Sequence, residues 1–332
     1  MTLHIFNPSH DEALAADTAA YLGSKAARTM ECDLYQLPLL WADQGDSCWQ
    51  KEQNVEWEKV TQIAPWGWNK ALVYQLQKTG APSYLLPSED ALAAIRRLSH
   101  RRTAMQLLAA LHSAQSDAER EGVTTFCETM EEVKNSLATL HKDGKEGLFK
   151  APWSCSGRGV FHEKANNAIA RIQRIIKQQG GIMLEAVWEK EKDFAMLFDY
   201  EAGRLIYRGI SLVATDEKGA YKGNIIDTQD ALLARLTGED EHLLSTLNAL
   251  RHLIESKIPS LLGSHYEGPL GIDMMCNKSR VHPCVEINLR RTMGRVALDI
   301  AAKQGCKNIV FPTLFALEYR DMRMRYTINA LL

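Results

Sequence analysis

Residues 148–160 read LFKAPWSCSGRGV, an apolar run that ends in a lysine and leads into a loop of small residues. Gly157 and Gly159 permit backbone conformations that other residues avoid, and they let the chain approach a ligand closely. Successive backbone N–H groups in such a loop can cradle a phosphate, and basic side chains add positive charge. The predicted phosphate-binding residues are Lys150, Ser154, Ser156, Gly157, Arg158 and Gly159.

This loop differs from two common nucleotide-binding motifs. No GK[ST] follows it, as in a P-loop, and the GxGxxG of dinucleotide-binding folds is absent. Taken alone, the segment is equally typical of an ordinary glycine-containing hairpin turn with exposed basic residues. The choice therefore depends on the rest of the chain.

Two carboxylates lie in a second segment, residues 268–290, GPLGIDMMCNKSRVHPCVEINLR. The segment predicts a hairpin whose turn is NKSR, which places Asp273 opposite Cys284 and Glu286 two residues further along the partner strand. Because side chains alternate between the two faces of a strand, Asp273, Glu286 and Asn288 fall on one face.

Two acids on an otherwise apolar ribbon repel each other and lose hydration unless a cation lies between them. Two carboxylates and an amide oxygen suit Mg²⁺, which prefers hard oxygen ligands. The alternative is a solvated strand face that carries two unrelated acids. A one-residue bulge would also break the predicted geometry.

A third segment, GGIMLEAVWEKEKDF, predicts a strand that ends near Glu185, a short polar turn, and a further strand that begins at Asp193. A strand that links two lobes can lend backbone N–H and C=O groups to an adenine ring. A carboxylate further along can bind ribose hydroxyls. A glutamate exposed at the end of a strand is the alternative.

The elements that position these residues alternate between strands and helices. Strands at 3–6, 60–66 and 83–87, with helices at 26–43 and 69–78, predict a small parallel α/β domain that ends near Leu98. Further strands are predicted at 123–126, 147–152, 180–188, 193–199, 204–214, 269–276 and 281–289. Further helices are predicted at 101–114, 128–142, 163–179, 230–237, 240–257, 294–303 and 314–325. Residues 214–228 predict a loop over a site.

Composition narrows the class of protein. The chain has 332 residues, of which 45% are hydrophobic and 24% charged, so we expect a folded protein with a sizeable core. A net charge of −2 does not indicate nucleic acid or an anionic membrane as a partner. The seven cysteines include no CxxC pair, and neither a signal peptide nor a long apolar segment is visible. These features predict a reduced, cytoplasmic chain.

The order of these features resembles the ATP-grasp superfamily, which includes D-alanine–D-alanine ligase, glutathione synthetase and biotin carboxylase. That order is a basic residue at a helix start, a lysine with a glycine loop, a glutamate with a hinge, and a D…ExN set. The resemblance covers about residues 95–332. It implies an α/β fold in which a small N-terminal parallel α/β domain (1–98) precedes an α+β, two-lobed ATP-grasp domain (99–332). The lid lobe would span 120–187 and the metal-binding lobe 188–332.

The resemblance also assigns nucleotide-binding roles. Lys150 would contact the α- and β-phosphates of ATP, and residues 154–159 would form a lid over the β- and γ-phosphates. Glu185 and the backbone of Ala186 and Val187 would hold the adenine edge. Asp193 would bind the ribose.

The resemblance places Mg²⁺, or Mn²⁺ in its stead, on Asp273, Glu286 and Asn288. Members of the superfamily often have a lysine at the start of the helix before the lid lobe. Here Arg101 or Arg102 takes that place, and arginine also pairs with phosphate.

Peptide-ligase members commonly carry an arginine two residues before the first metal-binding aspartate, where this chain has Gly271. Arg290 or Arg291 is predicted to supply the missing charge. Lys222 is a candidate contact to the γ-phosphate, although an exposed loop lysine is an equal alternative.

The implied activity is that of an ATP- and Mg²⁺-dependent ligase, which activates a small-molecule carboxylate as an acyl phosphate for attack by an amine or other nucleophile. A phosphotransferase with the same site and a non-catalytic nucleotide-binding module are the alternatives. Candidate substrate-binding residues are His10, Asp11, Trp66 and Trp68, for which helix capping and core packing are the alternatives. The sequence does not indicate an oligomeric state.

Overall fold

The computed structural model describes residues 1–51, 53–114, 121–154, 159–216, 221–238, 240–303 and 312–331. Within these ranges the helices are α1 (His10–Ala16), α2 (Lys25–Asp33), α3 (Lys70–Lys78), α4 (Glu89–Leu98), α5 (Arg101–His112), α6 (Met130–Lys142), α7 (Ala168–Gln179), α8 (Gln229–Thr237), α9 (Glu241–Leu262) and α10 (Met293–Ala302). No helix in the described part of the chain is long and apolar enough to cross a membrane.

The strands form three sheets. They are β1 (Thr2–Ile5), β2 (Ser47–Cys48), β3 (Gln62–Pro65), β4 (Thr124–Cys127), β5 (Gly147–Lys150), β6 (Val160–His162), β7 (Ile182–Ala186), β8 (Lys192–Glu201), β9 (Arg204–Thr215), β10 (Tyr221–Ile226), β11 (Gly268–Asn277), β12 (Arg280–Asn288), β13 (Thr313–Arg320) and β14 (Arg323–Ala330).

The first sheet is parallel and has the order β2-β1-β3. The predicted strand at 83–87 is wrong, since Ser83–Leu85 forms a 3-10 turn. Prolines at 82 and 87 flank this segment, and proline has no N–H to donate to a strand ladder. The predicted helix at 26–43 also ends early, because Pro38 lies in a separate 3-10 turn, Leu37–Leu40.

The second sheet has the order β4-β7-β5-β6, and its paired strands are antiparallel. Helices α6 and α7 contribute apolar side chains to its core. A reciprocal cap between Thr129 and Glu132 begins α6. All of these elements lie within residues 120–187, the range predicted for the lid lobe, whose exact boundaries stay a prediction.

The third sheet has seven strands in the order β12-β11-β8-β9-β10-β13-β14. Its main core contains apolar side chains of β8 and β11 together with those of α5 and α9. Helix α9 buries a stripe at helical spacing, formed by Leu243, Leu247, Leu250, Ile254, Ile258 and Leu262.

The N-terminal region packs directly against this large sheet. Phe6 and Trp66, from the first sheet, share a buried cluster with Val296 of α10 and Phe315 of β13. Helix α2 also contacts β14, where the backbone N–H of Met324 donates to an aspartate of α2 at 2.7 Å. The two predicted domains therefore share a core. The division of the chain at residue 98 stays a proposal.

The predicted helix at 314–325 is wrong, because this segment forms the hairpin of β13 and β14. Asp321 and Met322 both have positive φ angles, 50° and 62°, as a two-residue hairpin turn requires. Phe315 and Ile328 pair across the two strands and pack into the core. In the same sheet, residues 221–226 form β10, which corrects the predicted loop at 214–228 for those residues.

Leu250→Ala should lower the free energy of unfolding by about 2–5 kcal/mol, because the buried leucine leaves a cavity between α9 and the sheet. Leu244→Ala is the matched control, since this leucine lies on the same helix but is 38% exposed. Its expected cost is below about 1 kcal/mol. Urea denaturation followed by circular dichroism measures both, and equal losses would contradict the packing described here.

Candidate active site

Strands β11 and β12 place the predicted metal-binding residues side by side. Asp273 lies directly opposite Glu286, and Asn288 lies opposite Gly271. The Asn288 Nδ2 donates to Oδ2 of Asp273 at 3.0 Å. The structure thus brings together the two carboxylates and the amide that the hairpin pattern singled out.

The predicted register of this hairpin is wrong in one detail. The pairing near the turn is as predicted, but Asp273 does not lie opposite Cys284, because residues 283–285 of β12 span the stretch opposite Met274. Pro283 has no N–H to offer to the ladder, and a bulge accommodates such a residue. The irregularity shifts the pairing by two residues, so the face is kept and the carboxylates become direct rather than diagonal neighbours.

The environment of Asp273 is unfavourable to its negative charge. Burial and the neighbouring charge of Glu286 raise the pKa of Asp273 to about 6. A divalent cation would offset this repulsion, so the donor set fits Mg²⁺. Among the described residues there is no cluster of three or more His, Cys, Asp and Glu side chains that could hold a metal. The amide of Asn288 is therefore the third candidate ligand.

Lys150 and Glu185 form a buried ion pair in the second sheet. Lys150 ends β5, and Glu185 lies on the adjacent strand β7. The sequence assigned them to different ends of ATP, yet their side chains contact each other directly. Each is less than a tenth exposed, so their charges compensate each other out of water.

Two buried side chains of β12 lie near this ion pair, and one of them, Cys284, also lies near the carboxylates. His282 is buried, and this burial lowers its pKa to about 4 although the charge of Glu185 acts in the opposite direction. Cys284 is buried within the electrostatic reach of both Glu185 and Asp273. Sequence reasoning missed both residues, although they alternate with Glu286 on the predicted strand and this spacing could have indicated them.

The two ends of the glycine loop contact each other at a neck formed by Ala151, Ser154 and Gly159. The backbone N–H of Ala151 donates to the carbonyl of Gly159 at 2.9 Å. A Cβ on Gly159 would lie only 2.5 Å from the Cβ of Ser154, so only glycine fits there. Ser156, Gly157 and Arg158 lie outside the described residues.

Arg101 joins this neck to the carboxylates. Its Nε donates to the carbonyl of Ala151 at 2.9 Å and its Nη2 to Oγ of Ser154 at 3.2 Å. The same Nη2 lies 3.1 Å from Oε1 of Glu286. Arg102 instead pairs with Glu128 at the surface. The geometry therefore distinguishes two arginines that the sequence left equal, and it favours Arg101.

The predicted adenine hinge offers fewer free groups than expected. The backbone N–H of Ala186 donates to the carbonyl of Val123 at 3.0 Å, and that of Val187 donates to Glu146 at 2.7 Å. Both backbone N–H groups are thus already occupied by carbonyls beside the second sheet. Asp193 begins β8 and pairs with Lys190.

Lys222 lies near the start of β10, and its side chain is exposed. It therefore belongs to a strand of the seven-stranded sheet, whereas the sequence placed it in a loop. No contact of this lysine supports the predicted role at the γ-phosphate, which stays a prediction.

The candidate substrate residues near the N-terminus take mostly structural positions. His10 is fully buried, and burial lowers its pKa to about 4. Its ring lies so close to Gly67 that a Cβ there would be 2.6 Å away, and its Nδ1 lies 3.3 Å from Nδ2 of Asn69. Trp66 packs edge-on against Phe6 in the core. Trp68 is partly buried between the main core of the large sheet and the core of the first sheet.

Asp11 and the two predicted arginines, Arg290 and Arg291, all form ion pairs. Arg290 forms an ion pair with Asp11, with Nη2 at 3.0 Å from Oδ2. Arg291 pairs with Asp299 of α10, and its guanidinium lies 4.4 Å from the ring centroid of Trp41. Arg290 therefore lies between the N-terminal helix and the carboxylates, while Arg291 is held by α10.

Comparison with known proteins identifies the fold. A scan against protein families finds no matching family, and a search of curated proteins finds no match. Among solved structures, D-alanyl-alanine synthetase A from Vibrio cholerae has 11% identity and a TM-score of 0.54, covering 92% of this chain and 94% of that one. D-cycloserine synthetase DcsG has 12% identity and a TM-score of 0.51, covering 91% and 98%.

A third similar structure is N5-carboxyaminoimidazole synthetase from Staphylococcus aureus, solved in complex with ADP. It has 11% identity and a TM-score of 0.50, covering 91% of this chain and 76% of that one. Identities this low establish the fold alone. The chain has the ATP-grasp fold, as the order of its motifs predicted.

Proposed function

We propose that this chain is an ATP- and Mg²⁺-dependent ligase that activates a small-molecule carboxylate for attack by an amine. One observation carries the proposal: Asp273 and Glu286 face each other on adjacent strands, with Asn288 bonded to Asp273. The chain has the ATP-grasp fold, and in it this donor set lies next to a basic residue, Arg101. This arginine also contacts the neck of the glycine loop.

The nucleotide would lie between the second and third sheets. Lys150 and Arg101 lie on this path, and each is paired with a glutamate. A phosphate can compete for such a cation, because hydrogen bonds between charged groups are strong and directional. A structure of similar fold, the N5-carboxyaminoimidazole synthetase, was solved in complex with ADP, which supports an adenine nucleotide as the ligand.

Asp273, Glu286 and Asn288 would hold the Mg²⁺. When bound, the cation neutralises charge on the transferring phosphoryl group. The mutual repulsion of the two carboxylates supports this assignment, because it is the feature that a bound dication relieves.

The chemistry needs no nucleophile from the protein. An oxygen of the substrate carboxylate attacks the γ-phosphorus, the bond to the bridging oxygen breaks, and ADP leaves. The amine then attacks the acyl carbon, loses a proton, and expels inorganic phosphate to give an amide. Residues 154–159 would exclude water from the acyl phosphate, and Arg290 would face the acceptor.

Three further predictions accompany this function. We propose the domain division at residue 98, the lid and metal-binding lobes within residues 99–332, and a cytoplasmic location. Nothing in the composition indicates nucleic acid as a partner.

ADP release from ATP tests the proposed function when a panel of carboxylates is supplied with and without amines. Hydroxylamine should trap the acyl phosphate as a hydroxamate, and full turnover should depend on the amine. A stable phosphorylated product formed without amine would instead identify a phosphotransferase. Tight ATP binding without turnover across the panel would favour the non-catalytic module.

Glu286→Gln should reduce turnover on the order of 100-fold, the scale on which a lost electrostatic contact to the transition state lowers kcat. The change removes one candidate metal ligand and keeps the side-chain size. Glu128→Gln is the matched control, because Glu128 pairs with Arg102 as Glu286 pairs with Arg101. Steady-state ADP release at increasing Mg²⁺ measures both variants. An unchanged Mg²⁺ dependence in Glu286→Gln would contradict the assignment.

Lys150→Ala should weaken ATP binding by about 10-fold or more, since a hydrogen bond to a charged group contributes about 1.5–3 kcal/mol. The variant also leaves Glu185 buried without its partner, which by itself destabilises the fold. The double variant Lys150→Met/Glu185→Gln removes that penalty and should recover thermal stability without recovering ATP affinity.

Calorimetric titration and thermal unfolding separate these two effects. Lys164→Ala is the control, because Lys164 lies on the same lobe in an exposed ion pair with Glu146. If the double variant bound ATP as tightly as the wild type, Lys150 would have only a structural role.

A further inference from the structure

We propose that Asp11 is a positioning residue, which holds the Arg290 guanidinium away from the Asp273–Glu286 carboxylates and so keeps them available to a divalent cation. The inference rests on the proposed function, since it assumes that these carboxylates bind Mg²⁺. It assigns Asp11 a different role from the substrate contact that the sequence suggested.

The contacts of Arg290 fix its orientation from the N-terminal side. Its Nε lies 3.2 Å and 3.0 Å from the two carboxylate oxygens of Asp11, and its Nη2 lies 3.0 Å from Oδ2. Its Nη1 donates to the carbonyl of Arg291 at 3.2 Å. All three guanidinium nitrogens are therefore engaged, and planar pairing of this kind is highly directional. Both side chains are less than a fifth exposed, so water screens the pair weakly.

The position of Asp11 is itself fixed. It is the second residue of α1, whose first residue, His10, is wedged against Gly67. Asn7 brackets the same glycine, donating to its carbonyl at 2.8 Å and accepting from its N–H at 3.3 Å. The first turn of α1 therefore cannot shift without disturbing a buried polar cluster.

Arg290 has a second set of acidic neighbours. Its guanidinium lies within the electrostatic reach of the carboxylates of Glu286 and Asp273 as well as that of Asp11. Arg290 also follows Asn288 by two residues on the chain that leaves β12. Without Asp11, the attraction of Asp273 and Glu286 would draw the guanidinium toward the metal-binding face.

Charge balance leads to the same conclusion. Asp11, Asp273 and Glu286 bring three negative charges to this region, whereas Arg101 and Arg290 bring two positive charges. The group is thus net negative and attracts a cation. Loss of the Asp11 charge would make it neutral and leave two guanidinium groups to compete for two carboxylates.

The test measures Mn²⁺ binding to the full chain at pH 8 with saturating ADP. Bound Mn²⁺ is detected by its enhancement of water proton relaxation. Asp11→Asn should weaken Mn²⁺ binding by about 10-fold, the lower end of the effect of lost outer-shell partners. Adding Arg290→Gln to Asp11→Asn should restore the affinity to within about 3-fold of the wild type, because the competing cation is gone. A purely structural role of Asp11 would not be rescued in this way.

Asp17→Asn is the matched control, since Asp17 ends the same helix in ion pairs with Lys70 and Arg96. It should bind Mn²⁺ like the wild type. Circular dichroism and thermal unfolding verify that each variant is folded. Wild-type affinity in Asp11→Asn, or an unrescued double variant, would overturn the positioning role while leaving the metal site intact. If Glu286→Gln bound Mn²⁺ as the wild type does, the proposed metal site would fail, and this role with it.

Discussion

The repulsion between Asp273 and Glu286 is the constraint around which the rest of the candidate site is arranged. Two carboxylates face each other across adjacent strands, and burial together with the neighbouring charge of Glu286 raises the pKa of Asp273 to about 6. Each is compensated by a neighbour from another part of the chain: Asn288 donates to Asp273, and Arg101 pairs with Glu286. A bound dication would complete this compensation, so the site is preorganised for a charged ligand.

Arg101 links the carboxylates to the glycine loop. One guanidinium contacts a carboxylate of β12 and two groups at the neck of the glycine loop, Ala151 and Ser154. A ligand that bound Glu286 or Arg101 would therefore also alter the contacts of this arginine with Ala151 and Ser154. The Lys150–Glu185 pair repeats this arrangement in the second sheet, where a buried lysine is paired with a buried carboxylate.

The N-terminal region contributes to the site through packing as well as through charge. The turn after β1 and the turn after β3 lock together around Gly67, and the backbone N–H of Arg291 donates to the carbonyl of Trp66 at 2.9 Å. The chain that follows Asn288 is thereby attached to the first sheet. Arg290 follows Asn288 by two residues and pairs with Asp11 of α1, so the proposed role of Asp11 depends on this attachment.

The sequence by itself determined what depends on local spacing: the hairpin with its acids on one face, the loop flanked by Lys150, and the order of motifs that resembles the ATP-grasp superfamily. Long-range packing decided the rest. The choice of Arg101 over Arg102 depends on how α5 is oriented, and the burial of His10 and Trp66 depends on docking against distant elements. The hairpin at 313–330 forms where β13 pairs with β10, a strand far away in sequence. Periodicity records which face of an element is apolar, but it does not record which partner covers that face.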